Sequence, residues 1–170
     1  ASMERRRLAK TGMLRSAHML GNEEEIIFAA TDLLADTKLA PELSNEAHYY
    51  RAKAYLDAGK TDGAMEDLKV LAKDTRNVYG AEAKYKVAQI YFDGGQTDKA
   101  EQEVLNYIEV STPHTYWLAR SFVLLADVYM KLGRNLDAKQ YLLSLKQNYQ
   151  ADDDIAGMIE SRLEKLKTEN

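Results

Sequence analysis

The stretch Ala52-Lys53-Ala54-Tyr55-Leu56-Asp57-Ala58-Gly59-Lys60-Thr61-Asp62-Gly63-Ala64 decides the fold, because the chain repeats its pattern twice more. The copies run from Ala88 through Tyr91 and Gly95 to Ala100, and from Ala126 through Tyr129 and Gly133 to Ala138. Working outward, the next matching columns are Leu68, Val104 and Leu142, then Leu71, Tyr107 and Leu145. The three glycines are separated by 36 and 38 residues, and Gly21 precedes Gly59 by another 38. A fixed period in this range is the mark of a repeated supersecondary unit that buries its apolar face against its neighbours.

Each column has a physical purpose in a helical hairpin. The two alanines belong to different helices and let their axes approach closely, with the tyrosine filling the space above that contact. Gly at the turn ends the first helix with positive φ. Thr61, Thr97 and Asn135 follow as expected N-caps of the second helix, whose apolar stripe carries the Leu, Val and Tyr columns. The first unit is degenerate: Leu14 and Ala17 stand at the small and tyrosine positions, and Ile26 and Ala30 invert the sizes on the second helix. These read as compensating volume swaps. Thr37 to Ser44, with Pro41, reads as a longer connection, and Thr112-Pro113 as an N-cap with Pro at the first helical position. The helix it starts is expected to run unusually far, to about Leu132. Asp152-Asp153-Asp154 opens a last helix with Ile155, Ile159, Leu163 and Leu166 on one stripe and a polar opposite face, as a terminal cap requires. The expectation is a single domain over residues 1–170, with repeats near 5–38, 44–78, 80–112 and 114–150 and a capping helix at 152–168. That makes nine helices, and a chain that looks like the C-terminal end of something longer, with upstream repeats as possible partners.

Composition agrees with an all-α protein: 2 Pro, 9 Gly and 45% hydrophobic residues among 170, dominated by helix formers. The absence of Cys removes disulfides and cysteine-based zinc sites. A net charge of −4 argues against nucleic acid as the partner. No apolar run is long enough to span a membrane. The start, Ala1-Ser2-Met3-Glu4-Arg5-Arg6-Arg7, is basic but leads into an amphipathic helix and not an apolar signal segment.

Small–x–x–Tyr, then Gly, then Ala, then a large apolar residue resembles the tetratricopeptide signature, whose usual period is about 34 residues. The resemblance implies an α-solenoid, a right-handed superhelix of antiparallel helix pairs, serving as a non-catalytic protein-interaction scaffold. Ala47-His48-Tyr49-Tyr50-Arg51-Ala52-Lys53-Ala54-Tyr55 further resembles a segment of bacterial cell-envelope members, among them the periplasmic protein associated with the Tol-Pal system and the lipoprotein of outer-membrane-protein assembly. Arg51 and Ala52 depart from their Leu-Gly. That likeness favours the periplasm or cell envelope; a cytoplasmic adaptor or regulator, or an accessory domain of an enzyme, stays open.

The family resemblance also implies a concave groove lined by the first helix of each pair. Its positions here are Glu46, Tyr49, Lys53, Leu56 and Asp57; Glu82, Tyr85, Gln89, Phe92 and Asp93; and Arg120, Val123, Asp127, Met130 and Lys131. The first unit would add Thr11, Arg15, His18 and Met19. Aromatic side chains give contact area at little entropic cost, so Tyr49, Tyr85 and Phe92 are the expected anchors for an extended peptide or partner helix. The alternative is that one or two of them pack between adjacent first helices. No Lys/Arg pair recurs as a clamp for a peptide C-terminus would require.

Other constellations carry less. His18, His48 and His114 are too scattered for an obvious metal site, and His48 is expected to be structural. The three consecutive aspartates lack the downstream Gly and Glu of a calcium loop. Arg5-Arg6-Arg7 with Lys10 and Arg15 reads as a solvated helix face. Gly94-Gly95 reads as a turn, since no strand precedes it and no Gly-Lys-Ser/Thr follows. No catalytic residues, metal or cofactor are expected.

Overall fold

The alanine and large apolar columns of the repeat are buried, while the glycines of the turns are exposed. Ala52, Ala88 and Ala126 are essentially inaccessible, as are Ala64, Ala100 and Ala138, and the Leu/Val/Tyr columns lie behind them. In the computed structural model, which describes residues 2–168, the described residues form nine helices and no strand. They are α1 (Met3–Leu20), α2 (Glu23–Leu34), α3 (Pro41–Asp57), α4 (Thr61–Leu71), α5 (Val78–Asp93), α6 (Thr97–Val110), α7 (Thr115–Lys131), α8 (Asn135–Asn148) and α9 (Ile155–Thr168). Ala1, part of the basic start, lies outside the described residues, as do Glu169 and Asn170.

The turns explain the hairpins. Gly21, Gly59, Gly95 and Gly133 have φ of 69°, 74°, 78° and 76°, a region that L side chains enter only with strain. Short turns of this kind leave successive helices antiparallel and packed side by side. Tyr55 fills the space at its turn so closely that a Cβ on Gly63 would stand 3.1 Å from its ring.

The chain divides into two compact units, one ending at Asp74 and the other beginning at Thr75. In the first, α1 packs on α2, α2 on α3 and α3 on α4, around Leu14, Ala30, Leu33, Ala47 and their neighbours. Leu14 and Ala30 are both fully buried, so the exchanged sizes of the degenerate hairpin meet in one core. In the second unit each helix from α5 to α9 packs on the next, and the first helices also touch one another, α5 on α7 and α7 on α9. Its core includes Val104, Tyr107, Leu124, Leu125, Leu142, Ile155 and Ile159. Ile155, Ile159 and Leu166 of α9 are buried there, Leu163 lies half-buried against them, and Glu160, Ser161, Glu164 and Lys165 face solvent.

Five expectations about the helices and their ends need correction. Thr61, Thr97 and Asn135 are the first helical residues, not caps; the caps are Lys60, Gln96 and Arg134, none with a side-chain cap bond. Pro41 opens α3 at its first turn and does not sit within the connection, where its missing N–H costs nothing. Thr112-Pro113 precedes α7 without capping it: Thr112 Oγ1 accepts from His114 N at 3.1 Å and donates to the Thr75 carbonyl, and the helix starts at Thr115. At 17 residues, α7 equals α3 and is not unusually long. The three aspartates lie before α9, where Asp153 Oδ1 accepts from Ile155 N at 2.9 Å.

A candidate interaction groove

On the first unit, α3 presents a polar aromatic face. Glu46 accepts two bonds from Arg15 of α1, at 2.8 and 2.9 Å, which hold its carboxyl below its usual range. His18 stacks on Tyr50 with ring centroids 4.0 Å apart, and the Lys53 ammonium lies over the Tyr49 ring at 5.4 Å. Tyr49 and Leu56 are half-buried, and Lys53, Asp57 and Met19 are exposed. Thr11 is buried, its hydroxyl donating to the Arg7 carbonyl, so it is removed from any lining. Arg7 pairs with Asp36, just past the end of α2, and Lys10 with Asp32 of α2, so part of the basic face of α1 is tied down and not simply solvated.

Behind that face, Asp67 of α4 anchors α3. Its carboxylate accepts from Arg51 Nε at 2.9 Å and from a terminal Arg51 nitrogen at 2.7 Å, with His48 Nδ1 also at 2.7 Å. His48 is therefore a packing residue here.

On the second unit the first helices α5, α7 and α9 form a contiguous face. Tyr85 is only 6% exposed. It packs on Trp117 with centroids 5.7 Å apart, accepts from Arg120 at 2.9 Å and donates to Gln89 Oε1 at 2.9 Å. Gln89 passes the chain on to Asp93 at 2.7 Å. Burial pushes the Tyr85 phenol up despite the nearby Arg120 cation, which keeps its proton available for Gln89. Tyr85 thus serves the contact between α5 and α7 and is not a free anchor. Val123, at 3% exposure, belongs to the core. Both leave the lining because both are buried, Tyr85 against α7 and Val123 in the core.

Arg120 is held by phenols, donating to Tyr116 at 3.0 Å as well as to Tyr85, and Tyr116 in turn donates to Asp154 at 2.9 Å. Further along α7, Asp127 accepts two bonds from Arg162 of α9, at 2.8 and 3.0 Å. Beside this pair lies an open pocket of about 590 Å³. Phe92 and Met130 supply its apolar surface; Lys131, Ser161 and Lys165 complete the wall with Asp127 and Arg162. Four of the expected residues, Phe92, Asp127, Met130 and Lys131, therefore meet at one place. Glu82 pairs with Lys86 on α5 and is not part of that wall.

The residues missed were Tyr116, Trp117, Arg162 and Lys165. Arg162 and Lys165 had a signal: with Ser161 taken as the small residue of α9, they fall one and four places after it, as Asp127 and Met130 do after Ala126. Asp127 and Arg162 are 35 apart, as are Tyr85 and Arg120, so cross-helix bonds recur near the repeat spacing. Among the described residues no group of three His, Cys, Asp or Glu side chains is arranged to hold a metal ion, and no helix is long and apolar enough to cross a membrane.

These features define a class, a series of antiparallel helical hairpins with glycine turns and small-residue contacts. Two of the hairpins match family models described as tetratricopeptide repeat, at residues 46–74 and 119–147. No curated protein matches the chain in sequence. Among solved structures, the fold is similar to a point variant of the TPR-like repeats of a putative kinesin light chain from Podosopora anserina. The identity is 15% over 99% of this chain and 96% of that one, with a TM-score of 0.61. It is also similar to MamA, at 21% identity over 92% of this chain and 96% of that one, again with a TM-score of 0.61. At these identities the likeness speaks to the fold, an all-α arrangement of TPR-like solenoid type.

Proposed function

We propose that this protein is a protein–protein interaction scaffold that binds a peptide or partner helix on the face formed by α5, α7 and α9. The observation that carries the reading is the pocket of about 590 Å³, where half-buried Phe92 and Met130 are framed by charged side chains of two helices. Apolar surface ringed by polar groups is how proteins seat a partner's anchoring side chain. The Ala47–Tyr55 segment favours a bacterial cell-envelope assembly as the setting.

Selection of a random displayed-peptide library on the whole chain tests this. Enriched peptides should bind in the micromolar range or tighter and lose at least about tenfold, roughly 1.4 kcal/mol, on the Phe92→Ala/Met130→Ala double variant. Circular dichroism of that variant confirms that it remains folded. Failure to enrich any peptide, or binding indifferent to both truncations, would overturn the reading.

A further inference from the structure

The lining of this pocket also specifies its occupant. Three cations, Lys131, Arg162 and Lys165, face one carboxylate, Asp127, in a chain whose net charge is −4. Asp127 is already engaged by both hydrogen bonds from Arg162. Lys131 and Lys165 are exposed and make no ion pair among the described residues. They stand in the last turns of α7 and α9, where the aligned peptide dipoles supply only roughly half a negative charge. Two ammonium groups are therefore left for a ligand, beside an apolar floor.

We infer that the pocket takes a peptide segment in which one large apolar side chain is flanked by Asp or Glu. The apolar side chain covers Phe92 and Met130, and the carboxylates meet Lys131 and Lys165. This rests on the pocket being the binding site, as proposed above. A basic segment would bring like charge against both lysines at a cost that opposes docking. The arrangement differs from a clamp for a chain terminus, since one of its two lysines comes from the last helix and the apolar floor lies beside them.

The same peptide selection separates the two claims when it is run on the wild type and on the Lys131→Glu/Lys165→Glu variant. Both lysines are exposed, so the variant keeps its circular dichroism and melts only slightly lower, as carboxylates in the last turns of two helices require. Peptides enriched on the wild type should carry Asp or Glu next to Leu, Ile, Phe or Met. They should weaken as salt is raised and lose at least about tenfold on charge reversal. The reversed variant should enrich basic peptides instead. Wild-type enrichment of basic or uncharged peptides, or affinity unmoved by the reversal, overturns the inference while leaving the pocket as a binding site. No enrichment on either protein overturns both.

Discussion

A buried carboxylate survives only where hydrogen bonds replace its water, and Asp67 meets that condition. It is 1% exposed yet receives both nitrogens of the Arg51 fork and contacts His48 Nδ1 at 2.7 Å. Burial pushes its pKa up, but the bonds from His48 and Arg51 outweigh burial and hold it below the usual carboxylate range. The sign of the pH dependence follows. A depressed folded-state pKa gives stability that is present above the unfolded value, 3.8, and is lost as pH falls through the folded one. Asp67→Asn should cost about 3 kcal/mol near neutral pH, since it leaves Arg51 without its charge partner. Urea midpoints measured along a pH series check this: the gap between wild type and variant should close as the wild-type carboxyl protonates. A gap that stays constant into acid would mean that Asp67 acts by shape and not by charge.

At the level of the helix, the turns carry the pattern. Gly95 has φ of 78°, and a Cβ there would meet nothing within 4 Å, so its requirement is conformational and not steric. Gly95→Ala should destabilise by about 1 to 2 kcal/mol, and Gly95→Asn by less, because Asn tolerates the left-handed region. Equal losses in chemical denaturation would show that something other than backbone strain is at work. These columns were legible in the sequence because Tyr, Gly and Ala are selected by local geometry, which a period exposes directly. The helix starts were misjudged by one to three residues, since Thr61, Thr97 and the Asp152–Asp154 run are good caps by type but the chain turns elsewhere. The candidate site was half legible. Spacing named Phe92, Asp127, Met130 and Lys131, which line one pocket, but it could not tell Tyr85 and Val123, which are buried, from residues facing outward. That distinction depends on how far α5 rotates against α7, and the Tyr85–Arg120 bond and the Trp117 ring set it.

For the chain as a whole, the division at Asp74 and Thr75 makes a claim about cooperativity. Leu33 anchors the core of the first unit and Leu125 that of the second, both essentially inaccessible. In repeat proteins stability is close to a sum of unit terms and nearest-neighbour terms, so a cavity in one core should be felt mainly by its own helices. Leu33→Ala and Leu125→Ala should each remove about 3 kcal/mol. Native-state hydrogen exchange locates the loss. In Leu33→Ala the amides of α1 to α4 should lose protection while the most protected amides of α5 to α9 keep theirs, and Leu125→Ala should do the converse. If either substitution lowers protection evenly from α1 to α9, the two cores open as one, and the division is geometric without being energetic. Independent opening would bear on binding as well. The pocket walled by Phe92, Met130 and Lys165 would then stay formed while α1 to α4 open, and affinity for a selected peptide should be unchanged in Leu33→Ala and reduced in Leu125→Ala.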